Sequence, residues 1–297
     1  MAGPCHVCGD TRSTAVLTTP RLVGPLRRCE GCGLLFVEIQ DDRYVFRDGA
    51  DAARAASVSE AIAETARQEL HVDGAVEEAE RVVRRVGIAR RLDLLGQYRS
   101  GGRLLEVGCS GGDLLALAAD RGYQPRGVEP NRRLAEHASR VTGLEVFPGT
   151  LSEAALPRAS ADAAILLHVI EHLPEPAAEL ARLREILAPS GVLMVETPNV
   201  DNLFFRLGRA RWRQIIPEHL WFYSPDTLRR LLEAQGFRVL QIRPIGKDLS
   251  LRLFANRLRR VLGPLAAPAV ALSSSGWGGR TLYLDARDVM IAVAERT

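Results

Sequence analysis

Four of the chain's five cysteines fall in two pairs, Cys5 with Cys8 in "CHVCGD" and Cys29 with Cys32 in "CEGCGL". Two thiolates from each of two tight turns suit a tetrahedral four-sulfur metal site of the ribbon type. Such a cage leaves no open coordination position, so a metal held there is structural rather than catalytic. Zinc is the expected ion, and iron in the same cage is the chemical alternative. Paired disulfides are the competing reading, disfavoured in a reducing cytosol. Residues 1–40 carry little apolar mass of their own, so removal of the metal is expected to unfold this lobe.

A second chemistry-bearing stretch is "RLLEVGCSGGDLLALAA", in which Glu106 precedes Gly108, Gly111 and Gly112 between a short apolar run and leucines at helical spacing. This is a strand-to-helix turn where bare backbone can approach a ligand and free N–H groups favour polar or anionic atoms. Glu129 closes the next strand-like run, "YQPRGVEPN", where an acid can accept hydrogen bonds from both hydroxyls of a ribose. A pyrophosphate would be repelled by Glu106, which suits a nucleoside ligand carrying positive charge. Cys109, inside the loop, reads as a small packing residue rather than a reactive thiol.

The third stretch, "HVIEHL", sets His168, Glu171 and His172 at offsets of three and four, on one face if the segment is helical. That spacing resembles zinc-site patterns, although packing and hydrogen bonding are the preferred reading of His172. "PEHLWFYSP" adds Glu218 and His219, an acid–base pair in which a neutral imidazole could take a hydroxyl proton.

These residues must be positioned by alternating strands and helices. "GLEVF", "DAAILLHVI" and "SGVLMVETPN" read as third, fourth and fifth strands and "DVMIAVAERT" as the last, which predicts an α/β doubly wound, mostly parallel sheet. Residues 41–99 are expected to form a helical connector or lid of two or three helices, including "VEEAERVVRRVGIARRLDLL". The remainder, 100–297, reads as one ligand-binding domain with helical insertions at 200–222 and 246–285. Trp212, Trp221, Phe222, Tyr223 and Trp277 could line an acceptor pocket or fill core.

The ordered motifs "LLEVGCSGG", "GVEPN", "LLHVIEHLPEP", "GVLMVETPN" and "EHLWFYSPDTLRRLLEAQGF" resemble those of class I S-adenosylmethionine-dependent methyltransferases over roughly residues 100–245. The resemblance implies a seven-stranded Rossmann-like sheet and S-adenosylmethionine as methyl donor. By motif, Glu106, Gly108, Cys109, Ser110 and Gly112 would line the loop and the methionine end. Glu129 and Pro130 would meet the ribose, Thr150 and Leu151 the adenine, and His168 the region of the methyl. Ser110 stands where many relatives have glycine. A related group that methylates quinone precursors can use a divalent ion near this place, but its first acid is replaced here by His168.

Methyltransferases that add carbon branches to nucleotide-linked sugars are similar twice over, pairing a four-cysteine zinc lobe with a Glu–His element. That likeness makes His219 the expected base, with Glu218 beside it and His168 as the next candidate. Against a full transfer of the sugar mechanism, a tyrosine found before the pair in those enzymes falls near Ile215 or Ile216 here. Their large third domain also has no counterpart in the stretch after Ile245.

The expected function is methyl transfer to a small-molecule acceptor, most simply a hydroxyl of a secondary metabolite or saccharide. The alternatives are C-methylation of a nucleotide-linked sugar, ribosomal RNA methylation, and a non-catalytic S-adenosylmethionine-binding subunit. A formal net charge of +3 over 297 residues, with no Asn-Pro-Pro-Tyr run, speaks against nucleic acid despite arginines in "FFRLGRARWR" and "LRLFANRLRR". "MAGPCHVCGD" has no signal-peptide character and no apolar run approaches bilayer length, so a cytoplasmic protein without a membrane partner is expected, with a homodimer left open.

Overall fold

The computed structural model describes residues 4–38, 74–251, 254–255, 263–268, 271 and 281–297. Residues 41–73 of the expected connector, Trp277 and most of "FANRLRRVLGPL" lie outside them.

The N-terminal lobe is a small antiparallel sheet of β1 (Ser13–Leu17), β2 (Leu26–Cys29) and β3 (Leu35–Val37). After it, α1 (Gly74–Gly96) leads into β4 (Gly102–Val107), α2 (Asp113–Asp120), β5 (Tyr123–Glu129), α3 (Arg132–Thr142), β6 (Val146–Pro148) and β7 (Ala161–Leu167). Next come α4 (Pro176–Ile186), β8 (Leu187–Pro198), α5 (Leu203–Gly208), β9 (Trp221–Phe222), α6 (Pro225–Ala234) and β10 (Phe237–Pro244). A hairpin of β11 (Lys247–Ser250) with β12 (Thr281–Leu284) precedes the last strand, β13 (Val289–Arg296).

Seven strands form the main sheet in the order β10-β13-β8-β7-β4-β5-β6. β13 alone runs opposite to the other six, pairing antiparallel with β10 and β8. Its strands are nearly continuous apolar runs because helices cover both faces. The chain leaves β4 toward β5 and β6, then returns to β7 on the other side, so β4 and β7 flank the switch point where ligands of such sheets collect. Local chemistry starts the helices where the sheet needs them to start. Asn131 caps α3 by accepting from the N–H groups of Arg133 and Leu134, and Ser224 with Thr227 forms a capping box on α6 behind Pro225.

Three features differ from the sequence-based expectations. The described part of the connector is one helix, not two or three, and its Leu92, Leu94 and Leu95 are buried in the core with Leu104 and Tyr123. The second insertion opens and closes with strands: Asp248 is buried and ion-paired to Arg90, whose guanidinium lies 4.7 Å from the Tyr283 ring centre across the hairpin. The N-terminal lobe is not coreless either. Leu22, Leu26, Leu35 and Val37 pack against Val200, Phe205, Trp212, Ile215 and Phe222 of the first insertion. The main domain also completes the lobe's sheet, since β9 pairs with β3 through Leu35–Phe222 and Phe36–Trp221.

Candidate active site

At the carboxyl end of β4 the chain turns through Gly108, Cys109, Ser110, Gly111 and Gly112 into α2. Gly108 has φ of +74°, and a Cβ there would stand 2.6 Å from Val169, in the turn after β7. Only glycine lets the two turns at the switch point approach so closely. Glu129, at the end of β5, accepts from the N–H of Ser110 at 2.8 Å and from that of Asn131 at 2.9 Å, so it ties the loop to the second strand. Pro130 lies between those partners. Thr150 and Leu151 follow β6 at the same edge, with Leu151 buried and Thr150 bonded to Glu153.

The acids on this side lack counter-charges. Glu106 is buried with Oε2 unpartnered. Burial, reinforced by the charge of Glu129, raises its pKa well above the usual carboxylate range. Burial also raises that of Glu129, against the two N–H groups that favour its charge. An orphaned buried carboxyl beside an open glycine turn suits a ligand with a cationic or hydrogen-donating end, so these residues fit S-adenosylmethionine. Cys109 packs where a Cβ on Gly127 would stand 2.6 Å from its sulfur, and burial pushes its thiol up, so no thiolate is available.

Across the switch point, the segment after β7 is a turn and not a helix, closed by the His172 N–H donating to the Val169 carbonyl at 2.9 Å. The positions grouped by helical spacing still converge. His168, with φ of +55°, lies 3.1 Å from Glu171 through Nδ1 and 3.2 Å from Glu196 through Nε2. Burial opposes its charge, but the two carboxylates outweigh burial and raise its pKa to about 9. Held between two acids, His168 is favoured in its charged form, which suits it poorly to the role of a base. Glu196 also accepts both forks of Arg91 at 2.7 Å, and Glu171 accepts from the Thr197 hydroxyl at 2.9 Å. Burial disfavours both carboxylates, yet His168 lowers the pKa of Glu171, and His168 with Arg91 lowers that of Glu196 to about 2. Two cations face two anions, and the cluster is internally neutral.

Beside it, the rings of His172 and His219 stand 4.8 Å apart at a steep angle. His172 Nδ1 lies 2.9 Å from the Glu218 carbonyl, and His219 Nδ1 lies 2.8 Å from the Gln214 carbonyl. Each Nδ1 must carry a proton to make these bonds, so in the neutral ring the lone pair sits on Nε2. His219 is buried, and burial, then the neighbouring His172, depresses its pKa to about 3. Glu218 is half-buried and enters the arrangement through its carbonyl.

The four cysteines of the lobe form one cage. Cys5 and Cys32 sulfurs are 3.6 Å apart and those of Cys8 and Cys29 are 3.5 Å apart, with all four within 4.8 Å. Disulfides would need about 2.05 Å, whereas the edge of a zinc–thiolate tetrahedron is about 3.8 Å. The two knuckle turns repeat one geometry, with Gly9 and Gly33 at φ of +76° and +79°. Beside the cage, the His6 ring stands edge-on to Trp221 at 4.2 Å, and its Nε2 lies 3.1 Å from the Tyr223 hydroxyl.

A family profile described as "Methyltransferase domain" matches residues 79–242, more than half of the chain. The chain belongs to this methyltransferase family. Among curated relatives it is 33% identical over 144 residues to a probable S-adenosylmethionine-dependent methyltransferase of Mycolicibacterium smegmatis, covering 48% of this chain and 54% of that one. It is 30% identical over 146 residues to a ubiquinone biosynthesis O-methyltransferase of Dinoroseobacter shibae, covering 45% and 59%. The chain thus spans about half the length of the curated relatives it matches. Among solved structures, the methyltransferase in a complex with the Haloferax volcanii Trm112 activator aligns with a TM-score of 0.51 at 15% identity, covering 71% of this chain and 90% of that one, a likeness of fold.

Two groups at the methyltransferase's switch point were not singled out from sequence. Glu196 and Arg91 lie 105 residues apart. The available signals were an acid at the end of an apolar strand, and an arginine on the leucine-bearing face of a helix.

Proposed function

We propose that the protein transfers a methyl group from S-adenosylmethionine to a hydroxyl of a small, uncharged acceptor such as a secondary metabolite or saccharide, with His219 receiving the proton, and that its four-cysteine lobe holds a structural zinc ion. The observation that carries this reading is the charge balance of the two sides. Unpaired Glu106 and Glu129 await positive charge, while the cluster of His168, Glu171, Glu196 and Arg91 is neutral in itself. An acceptor beside it need bring no charge. The O-methyltransferase name of one relative supports the choice of oxygen.

The bound donor supplies an electrophilic methyl on a cationic sulfur. Glu106 opposes that charge at the methionine end, Glu129 accepts from the ribose hydroxyls, and Gly108 keeps the loop open for both. His168, fixed through both nitrogens, shapes the space beyond β7 without exchanging a proton. Lining up acceptor oxygen and methyl carbon provides most of the acceleration. His219 Nε2 is a weak base in this pocket, but a hydroxyl becomes strongly acidic once its oxygen bonds to carbon, so a weak base suffices late in the step. The Gln214 carbonyl, at His219 Nδ1, favours the imidazolium that then forms.

His219→Ala should slow turnover about a hundredfold or more while leaving donor affinity intact. The acidic limb of the wild-type pH profile should lie toward pH 3, not near 6.5 as an unperturbed imidazole would give, because burial holds His219 neutral. Unchanged turnover in the variant would make His219 a brace. A second reading rests on the approach of Glu171, His172 and His219, whose ligand atoms lie within 4.8 Å of one another. Activity that requires added divalent ion, and falls with chelator while the lobe keeps its own metal, would favour an ion there over a free base.

A further inference from the structure

Helix α5 is short and turned inside out. Leu203, Phe204 and Leu207 are 64%, 56% and 77% exposed, while Phe205 between them is 4% exposed and packs in the core shared with the lobe. Asn202 caps the helix by accepting from the Phe205 N–H at 2.9 Å, which fixes this orientation. Arg206, Arg209 and Arg211 follow, all exposed. None of the three makes an ion pair with a described residue, whereas the next arginine, Arg213, is paired to Asp288. Exposed Arg21 of the lobe adds a further positive charge, donating to the Ala210 carbonyl at 2.9 Å.

Three apolar side chains held in water forgo burial energy that a folded chain ordinarily uses. They are too few to make a stable protein interface, which needs about 800 Å² from each partner. RNA phosphates could meet the arginines and a base could stack on Phe204, but Leu203 and Leu207, the two most exposed of the three, offer bases nothing to stack on. Separate apolar prongs beside arginines that have no acidic partner among the described residues match the boundary of a bilayer, where such side chains enter singly among acyl chains and guanidinium groups meet headgroup phosphates. We propose that this face docks the protein on an anionic lipid surface. The lack of a described helix able to cross a membrane is compatible with this, since docking needs none. Span length, on which the expectation of no membrane partner rested, does not address surface binding.

Vesicle binding reads the proposal without turnover, so it stands or falls apart from the acceptor chemistry. The full chain should co-sediment with vesicles containing phosphatidylglycerol and much less with pure phosphatidylcholine, and binding should weaken as salt rises. Arg206→Gln with Arg209→Gln and Arg211→Gln should weaken it about a hundredfold. Leu203→Ser with Phe204→Ser and Leu207→Ser should cost at least about tenfold. Leu207→Asp alone, at the most exposed of these positions, carries the test if the triple variant fails to fold. The proposal is overturned by wild-type protein that ignores anionic vesicles, or by substitutions that leave sedimentation unchanged. It is equally overturned if these substitutions abolish self-association or RNA binding in a protein that never binds vesicles.

Discussion

On the donor side of the active site, Gly108, Ser110, Gly112 and Glu129 come from two consecutive strand–helix units. Glu106 stays unpaired, and Glu129 is held only by backbone N–H groups. On the acceptor side, Arg91, His168, Glu171 and Glu196 come from α1, the β7 turn and β8, and every charge has a partner. The half proposed to bind a charged donor is local and electrostatically incomplete. The half proposed to lie beside the acceptor is long-range and already satisfied. Substitutions on the acceptor side should therefore injure the fold, and those on the donor side should injure binding.

The sharpest test is Arg91→Met. It leaves Glu196 buried beside His168 with half its neutralisation gone, so stability should fall by about 3–5 kcal/mol, read as a lowered denaturant midpoint. Glu129→Ala should cost roughly 1.5–3 kcal/mol of S-adenosylmethionine affinity by calorimetry, with little change in that midpoint. If both substitutions chiefly lower stability, or both chiefly lower affinity, the contrast is lost.

Proton linkage gives a smaller effect. The pKa of His168 is raised to about 9 in the folded chain, so its contribution is complete below the unfolded value near 6.5 and is lost as pH rises through 9. Denaturation midpoints should decline over that window, and His168→Gln should flatten the decline. Raised carboxyl pKa values at Glu106 and Glu129 also favour folding at low pH, so their share of the decline should shrink when donor is bound. The smallest change is expected at Ser110, whose φ of +48° is costly for a residue with a Cβ. Ser110→Gly should stabilise the chain by no more than about 1 kcal/mol, since the gain is offset by a freer unfolded state.

This contrast also explains what could be read from sequence. The donor loop, Glu129 and the strand alternation were legible because each is a pattern within a few tens of residues. The convergence of Glu171, His172 and His219 was not, because the His172 contact with Glu218 spans 46 positions and helical spacing was the wrong guide to a turn. The same limit hid the lobe's environment, where His6 and Tyr223 meet across 217 positions. Exposure on α5 escaped for a different reason. Its sequence "LFFRLG" does not say which phenylalanine faces inward until the Asn202 cap sets the turn.

The shared strand β9 has a consequence for how the protein is made. The lobe's other strands and all four cysteines leave the ribosome first, but the edge of β3 stays open until Trp221 and Phe222 follow roughly 180 residues later. At ordinary synthesis rates this interval is on the order of ten to forty seconds. During it, the lobe presents an unpaired edge and the exposed Leu26, Leu35 and Val37 that the first insertion will later cover. Early capture of metal by the cysteines would hold the knuckles in register through that interval. On the proposal that the lobe holds metal, chain made without it should reach the native state in lower yield, even though the finished fold has other contacts to hold the lobe in place.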